Sequence, residues 1–218
     1  MRFENKVCLI TGGASGIGAK TAEMFVGQGG KAVIVDINDE LGTEVSEQIG
    51  TDDCLYLHVD VTDPQACQSA VEYSVEQFGG VDCVLNSAVK MAPGLLKDLP
   101  LESWNSMLNI GLTGTFLMTQ AAGRWMIDNG RKGSIITMSS IGGRQPYGMT
   151  GGYSTVKAAV IMLAKHFAIE WAGYGIRVNT ICAGHTETPL TDYMLSLIHI
   201  SEPTRRYAIG EGRVCLQK

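Results

Sequence analysis

An apolar run, residues 7–11, passes without a break into Gly12, Gly13, Ala14, Ser15, Gly16, Ile17 and Gly18, and a helix-forming stretch follows. Few architectures accept a buried strand that turns so abruptly into a helix. The glycines at 12, 16 and 18 let the backbone bend sharply and let an anion approach the helix N-terminus, where free N–H groups and the dipole favour negative charge. In isolation this is also how an ordinary strand-to-helix turn reads, so the remainder of the chain has to decide. Short Val, Ile and Leu runs at 32–36, 55–59, 83–85, 134–138 and 177–181 alternate with longer helical stretches. That alternation predicts an α/β fold, a Rossmann-type doubly wound parallel sheet in three α/β/α layers. Asp63 followed by Pro64 is a helix start, and Pro100-Leu101-Glu102 opens a long helix towards Asp128. Gly29 and Gly30 are expected to end the first helix, and Gly173 and Gly175 the one that starts near Tyr153. One domain accounts for residues 1–194.

With 218 residues, 45% of them hydrophobic, the chain can bury a full domain core, and a net charge of −5 speaks against a nucleic-acid or anionic-membrane surface. No leader pattern or bilayer-length apolar run is found, so a cytoplasmic protein is expected. Among the six cysteines, Cys8, Cys54, Cys83 and Cys182 lie in or beside apolar runs and no two have Cys-x-x-Cys spacing. They read as small buried hydrophobes, and with four scattered histidines no metal site is expected.

The second strand ends at Asp36, eighteen residues after Gly18, the position at which a dinucleotide fold places an acid for the adenosine ribose hydroxyls. A carboxylate there repels a 2′-phosphate, and Ser15 stands where a basic residue would welcome one. NAD is therefore expected over NADP. Asp60, after an apolar run, suits a contact near the adenine or, equally by position, a helix cap.

Tyr153 and Lys157 are four residues apart on a predicted helix, one turn apart on one face. Using a tyrosine as a base near neutrality means lowering its pKa by about three, worth about 4 kcal/mol. An ammonium about 6 Å away supplies roughly 3 kcal/mol at an effective dielectric near 20, so lysine nearly suffices by this reckoning; a bound nicotinamide cation would supply the remainder, and desolvation would oppose it. Tyr-x-x-x-Lys is common by chance. Ser140, thirteen residues upstream at the end of a strand, gives it weight, because ligands bind at that end of open α/β sheets. Its hydroxyl is placed to hold a substrate oxygen while Tyr153 exchanges a proton.

Together "TGGASGIG", Asp36, Asp60, "LNSA", "MSS" and "YSTVK" resemble the classical short-chain dehydrogenase/reductase family over residues 5 to about 192. The resemblance implies an NAD-dependent oxidoreductase acting on a small-molecule secondary alcohol or ketone, and a homo-oligomer, dimer or tetramer. It implies that Ser140 orients the substrate oxygen, Tyr153 is the acid/base, and Lys157 lowers the tyrosine pKa and holds the nicotinamide ribose. The cofactor set it implies is Gly12, Ser15, Gly16, Ile17, Gly18, Asp36, Asp60, Val61, Asn86, Ala88, Tyr153, Lys157, Gly184, Thr186 and Thr188, the last as partner of the carboxamide. A 3-oxoacyl-thioester reductase is the nearest enzymatic alternative, and a non-catalytic dinucleotide-binding protein the alternative of another class. The chain departs from the family pattern at Val89, where glycine is usual, at Ala183, where proline is frequent, and at Gly111, where the family has a catalytic asparagine. Asn109 is no simple substitute, because two helical residues turn by about 200°. Impaired turnover with intact binding is expected from Gly111.

Beyond position 194 the likeness stops. Residues 195–205, "LSLIHISEPTR", read in frame as a transposase-type sequencing adapter, with further agreement at Ile209, Cys215 and Leu216. Residues 195–218 are therefore expected to be non-native, in place of the lid helices and last strand implied by the resemblance.

Overall fold

The computed structural model describes residues 1–191; the expectation for 195–218 lies outside them. Six strands form one sheet: β1 Val7–Thr11, β2 Lys31–Asp36, β3 Cys54–His58, β4 Cys83–Asn86, β5 Gly133–Ser140 and β6 Ile176–Ala183. Their order is β3-β2-β1-β4-β5-β6, all neighbours parallel. This is the doubly wound order, in which direction reverses between β1 and β4 and opens a crevice at the carboxyl ends of the strands.

Helices α1 Gly16–Val26, α2 Asp39–Ile49, α3 Pro64–Phe78, α4 Leu101–Leu108, α5 Gly114–Asp128 and α6 Gly151–Trp171 connect the strands. Every residue of β1 is buried, and Leu9, Val33, Val35, Val84 and Ile135 pack with Met118 of α5 and Phe167 of α6 on one face of the sheet. The alternate residues Cys8, Ile10, Ala32, Ile34 and Leu85 pack with Ala22 and Phe25 of α1 on the other. Strands apolar on both faces are what a parallel sheet between helix layers requires.

The helix ends follow the sequence with one shift. Asp63 caps α3 by accepting from Gln65 N, with Pro64 in the first turn. Gly27 rather than Gly29 ends α1, and Gly29 supplies the left-handed turn just beyond it. The long helix from Leu101 to Asp128 is present, but Asn109–Thr113 form a π-helical turn that separates α4 from α5. All five cysteines among the described residues are free, and no cluster able to hold a metal occurs among these residues. No described helix is long and apolar enough to cross a membrane.

Candidate active site

The loop after β1 is held by close backbone approach. Gly12 has φ +64°, and a Cβ there would stand 2.7 Å from Ala88 N. Across the same gap, Thr11 Oγ1 accepts from Ser87 N at 3.1 Å and Ala88 N at 3.2 Å, tying the loop after β4 to the glycine loop. Gly16 also has a positive φ, +53°. Ser15 begins α1 without a side-chain capping bond, and the first turn carries no acid. The amide groups and positive end of that helix thus remain free to hold a pyrophosphate.

Asp36 closes β2 at the rim. Its Oδ2 accepts from Ala14 N at 3.2 Å, and its Oδ1 from Ile37 N at 2.8 Å and Asn38 N at 3.2 Å, so the carboxylate is fixed between the glycine loop and its own turn. Asp60 does not cap a helix, since Asp63 has that position. Instead its Oδ1 accepts from both the amide and the hydroxyl of Thr62, at 2.9 and 2.8 Å.

On the other side of the crevice, Ser140 ends β5, and its Oγ accepts from Gly142 N at 3.1 Å. Lys157 lies one turn beyond Tyr153 on α6, its Nζ 5.6 Å from the centre of the Tyr153 ring, close to the separation expected from sequence. Lys157 is buried and donates to the Met138 carbonyl at 2.7 Å. Burial lowers its pKa to about 8. Burial raises the Tyr153 pKa and outweighs the hydrogen bond with Ser140, which lowers it. The ammonium is engaged by the main chain rather than by the phenol.

These two sides share one cavity of about 1,020 Å³, at the upper end of the usual range for small-molecule sites. Of the residues expected at the site, Gly12, Ser15, Gly16, Ile17, Asp36, Asp60, Val61, Ala88, Ser140, Tyr153, Lys157, Gly184, Thr186 and Thr188 line it. Asn86 and Gly18 do not, and both stand behind the wall. Asn86 is buried and donates from Nδ2 to Thr119 Oγ1 at 3.0 Å, turned towards α5. Gly18 is needed by the loop itself: a Cβ there would meet Gly12 O at 2.1 Å.

Val89 and Ala183 also line the cavity. Gly111 is buried in the π-helical turn, and a Cβ on it would stand 2.7 Å from Val156 Cγ1. Val156 of α6 fills the space a side chain at 111 would need. Asn109 faces the cavity, in keeping with the different directions expected for the two positions. Residues missed from sequence are Ile37 at the Asp36 rim and the α4 face formed by Glu102, Asn105 and Ser106, which Asn109 continues. The i, i+3, i+4, i+7 spacing of that polar face was the available signal.

The arrangement suits a dinucleotide laid across the switch point, with a proton donor or acceptor at the far end. The family profile described as short chain dehydrogenase matches residues 6–196. The chain is 40% identical over 192 residues to 2,5-dichloro-2,5-cyclohexadiene-1,4-diol dehydrogenase LinX of Sphingobium indicum, covering 87% of this chain and 76% of that protein. It is 40% identical over 193 residues to 3-alpha-(or 20-beta)-hydroxysteroid dehydrogenase of Mycobacterium bovis, covering 88% and 74%. The crystal structure of 3-ketoacyl-(acyl-carrier-protein) reductase from Brucella melitensis complexed with NADH superposes with a TM-score of 0.83 at 30% identity, over 87% of this chain and 79% of that one. The match runs through the glycine loop, the Asp36 rim and the Ser140, Tyr153 and Lys157 side alike, and the chain belongs to the short-chain dehydrogenase family of oxidoreductases.

Proposed function

We propose that this oxidoreductase transfers hydride between NAD and the carbon of a secondary alcohol or ketone, with Ser140, Tyr153 and Lys157 managing the proton. The observation that carries the reading is that Asp36 and these three side chains line one cavity. The bound nicotinamide supplies the hydride donor or acceptor. Gly12, Ser15, Gly16 and Ile17 hold the pyrophosphate, Asp36 the adenosine ribose, Asp60, Val61 and Ala88 the adenine side, and Gly184, Thr186 and Thr188 the nicotinamide end. Ser140 Oγ holds the substrate oxygen, and Tyr153 Oη gives or takes its proton. Lys157, released from the Met138 carbonyl, holds the nicotinamide ribose and lowers the phenol pKa by proximity of its charge. The two relatives act, by their names, on a cyclic diol and on hydroxysteroids, both alcohols of the proposed class. The protein is read as a cytoplasmic homo-oligomer, dimer or tetramer, whose free thiols stay reduced.

The test is a titration of the full chain with NADH and with NADPH, followed by nicotinamide fluorescence, and then NAD reduction with a panel of secondary alcohols. NADH is expected to bind at least about ten-fold tighter, a difference near 1.4 kcal/mol. Asp36→Ala should narrow the gap by removing the charge that repels a 2′-phosphate. Equal binding of both cofactors overturns the NAD preference. Tight NADH binding with no alcohol-dependent NADH formation selects the non-catalytic reading. Preference for NADPH with an acyl thioester selects the reductase named for the Brucella melitensis neighbour.

A further inference from the structure

The first serine of "MSS", Ser139, lies along the cavity wall but has no part in the proposed reaction. Along β5, Met138 and Ser140 share one face and Ser139 faces the opposite way, as the two-residue period of a strand requires. Ser139 is 3% exposed, and its Oγ donates to the main-chain carbonyl of Lys157 at 2.7 Å. The preceding residue of the strand, Met138, accepts the Lys157 ammonium on its carbonyl at 2.7 Å. Consecutive residues of β5 therefore hold Lys157 at both ends, backbone and ammonium.

Two further contacts close on the same peptide. The single turn Ile141–Gly143 presses against it, so that a Cβ on Gly143 would stand 2.7 Å from Lys157 C and O and 2.8 Å from Ser139 Oγ. One residue earlier on α6, Val156 is seated in the notch left by Gly111. A carbonyl inside α6 has its own partner one turn on. A second, buried donor from another element has no role in helix formation and fixes where the helix stands relative to β5.

We infer that Ser139 is a positioning residue whose hydroxyl fixes α6 on β5 and so sets where the Lys157 ammonium stands. The inference rests on the reading of Lys157 as part of the proton-transfer site. Without the hydroxyl, the Lys157 carbonyl loses its anchor and the ammonium its registration with Met138 and the Tyr153 ring.

The test compares Ser139→Thr with Ser139→Val in the full chain. The two substituents have nearly the same shape and differ in the hydroxyl, so any strain from the added branch is common to both. Acetylation of Lys157 by acetic anhydride across pH 6 to 10 is read by peptide mass spectrometry, with exposed Lys20 as internal reference. In the Val variant, Lys157 is expected to label roughly five-fold faster relative to Lys20 than in the Thr variant, the usual yield of one hydrogen bond. Its labelling midpoint should also differ from that of the Thr variant. A merely structural serine would lower the melting temperature and leave the relative labelling rate alone. Equal Lys157 labelling in the two variants overturns the inference. If the Val variant does not fold, Ser139→Ala against Ser139→Thr gives the same comparison. Failure of NADH to bind, or to protect Lys157 in the unsubstituted chain, counts against the functional reading and leaves the labelling contrast as a separate result.

Discussion

The two sides of the crevice are built by different means. Around β1 and β2 the cavity wall is mostly main chain: Gly12 lies against Ala88, Gly18 against the Gly12 carbonyl, and the Asp36 carboxylate is held by three backbone N–H groups. Around β5 and α6 it is side chains that meet, and the decisive ones are buried or half-buried: the Lys157 ammonium on a carbonyl, Tyr153 against the cluster of Met107, Val156 and Val160, and Val156 on Gly111. A wall of backbone fixes shape and resists substitution wherever a Cβ has no room. Buried side chains fix charge state, and their protonation responds to what surrounds them. Damage on the first side should therefore appear as lost binding, and damage on the second as lost rate.

The largest effect that would break this contrast is Tyr153→Phe. Alcohol-dependent NADH formation should fall by about 10²- to 10⁴-fold, the usual worth of a positioned acid/base, while the dissociation constant for NADH stays within about two-fold. Its counterpart is Gly12→Ala. That residue has φ +64°, and the new methyl would stand 2.7 Å from Ala88 N. NADH affinity should drop by about ten-fold or more, through the strain of a non-glycine residue in the left-handed region and the displaced loop. Fluorescence titration and steady-state rates on both variants check the pair. A Tyr153→Phe variant that loses binding and rate together would erase the distinction.

The same contrast explains what could be read from sequence. Glycine spacing and the acid at the end of β2 report backbone geometry, which local sequence dictates, and the strand order follows from the alternation of elements. The direction of Asn86 is not legible, because its motif position says nothing of it: the side chain turns to Thr119, thirty-three residues away. At Tyr153 only the sign of the desolvation effect is legible in the sequence, because distance to a charge follows from helix spacing, whereas the extent of burial does not. Nor does any local pattern announce that Val156 occupies the space beside Gly111. Each of these is a matter of tertiary contact, and two of the three lie on the side made of side chains.

Gly111 offers the next test. The π-helical turn at Asn109–Thr113 forms with glycine rather than asparagine at position 111, and Gly111 O accepts from Thr115 Oγ1 at 2.8 Å. Restoring the family residue by Gly111→Asn should not simply restore rate, because its Cβ would approach Val156 Cγ1 to 2.7 Å. The single variant is expected to lose about 1–3 kcal/mol of stability, the usual result of overpacking. Pairing it with Val156→Ala should recover much of that loss, a coupling readable by urea denaturation of the two singles and the double. Additive effects would mean that the two positions do not share one space.

The smallest expected effect is a pH dependence carried by Lys157. Its pKa is lowered from 10.5 to about 8 by burial. Between those values the unfolded chain binds the proton and the folded chain does not, so stability rises with pH in that window, with a slope of at most about 1.4 kcal/mol per pH unit. Below the window both states are protonated, and the penalty for burying the ammonium is fully present. Cys54 and Cys67 act in the opposite sense above pH 9, because burial raises their thiols from 9.0 to about 12 and the folded state then holds protons the unfolded state releases. Two thiols against one lysine turn the net curve of the unsubstituted chain downward above about pH 9, and the contribution of Lys157 is isolated by difference. Lys157→Met keeps the apolar stem in place and removes the titration. Relative to the unsubstituted chain, it should be most stabilising near pH 7 and lose that advantage as pH rises from 8 to 9. Equal stability differences at pH 7 and pH 9 would mean that the ammonium is not desolvated in solution. The second side of the crevice would then differ from the first in its materials and not in how it handles charge.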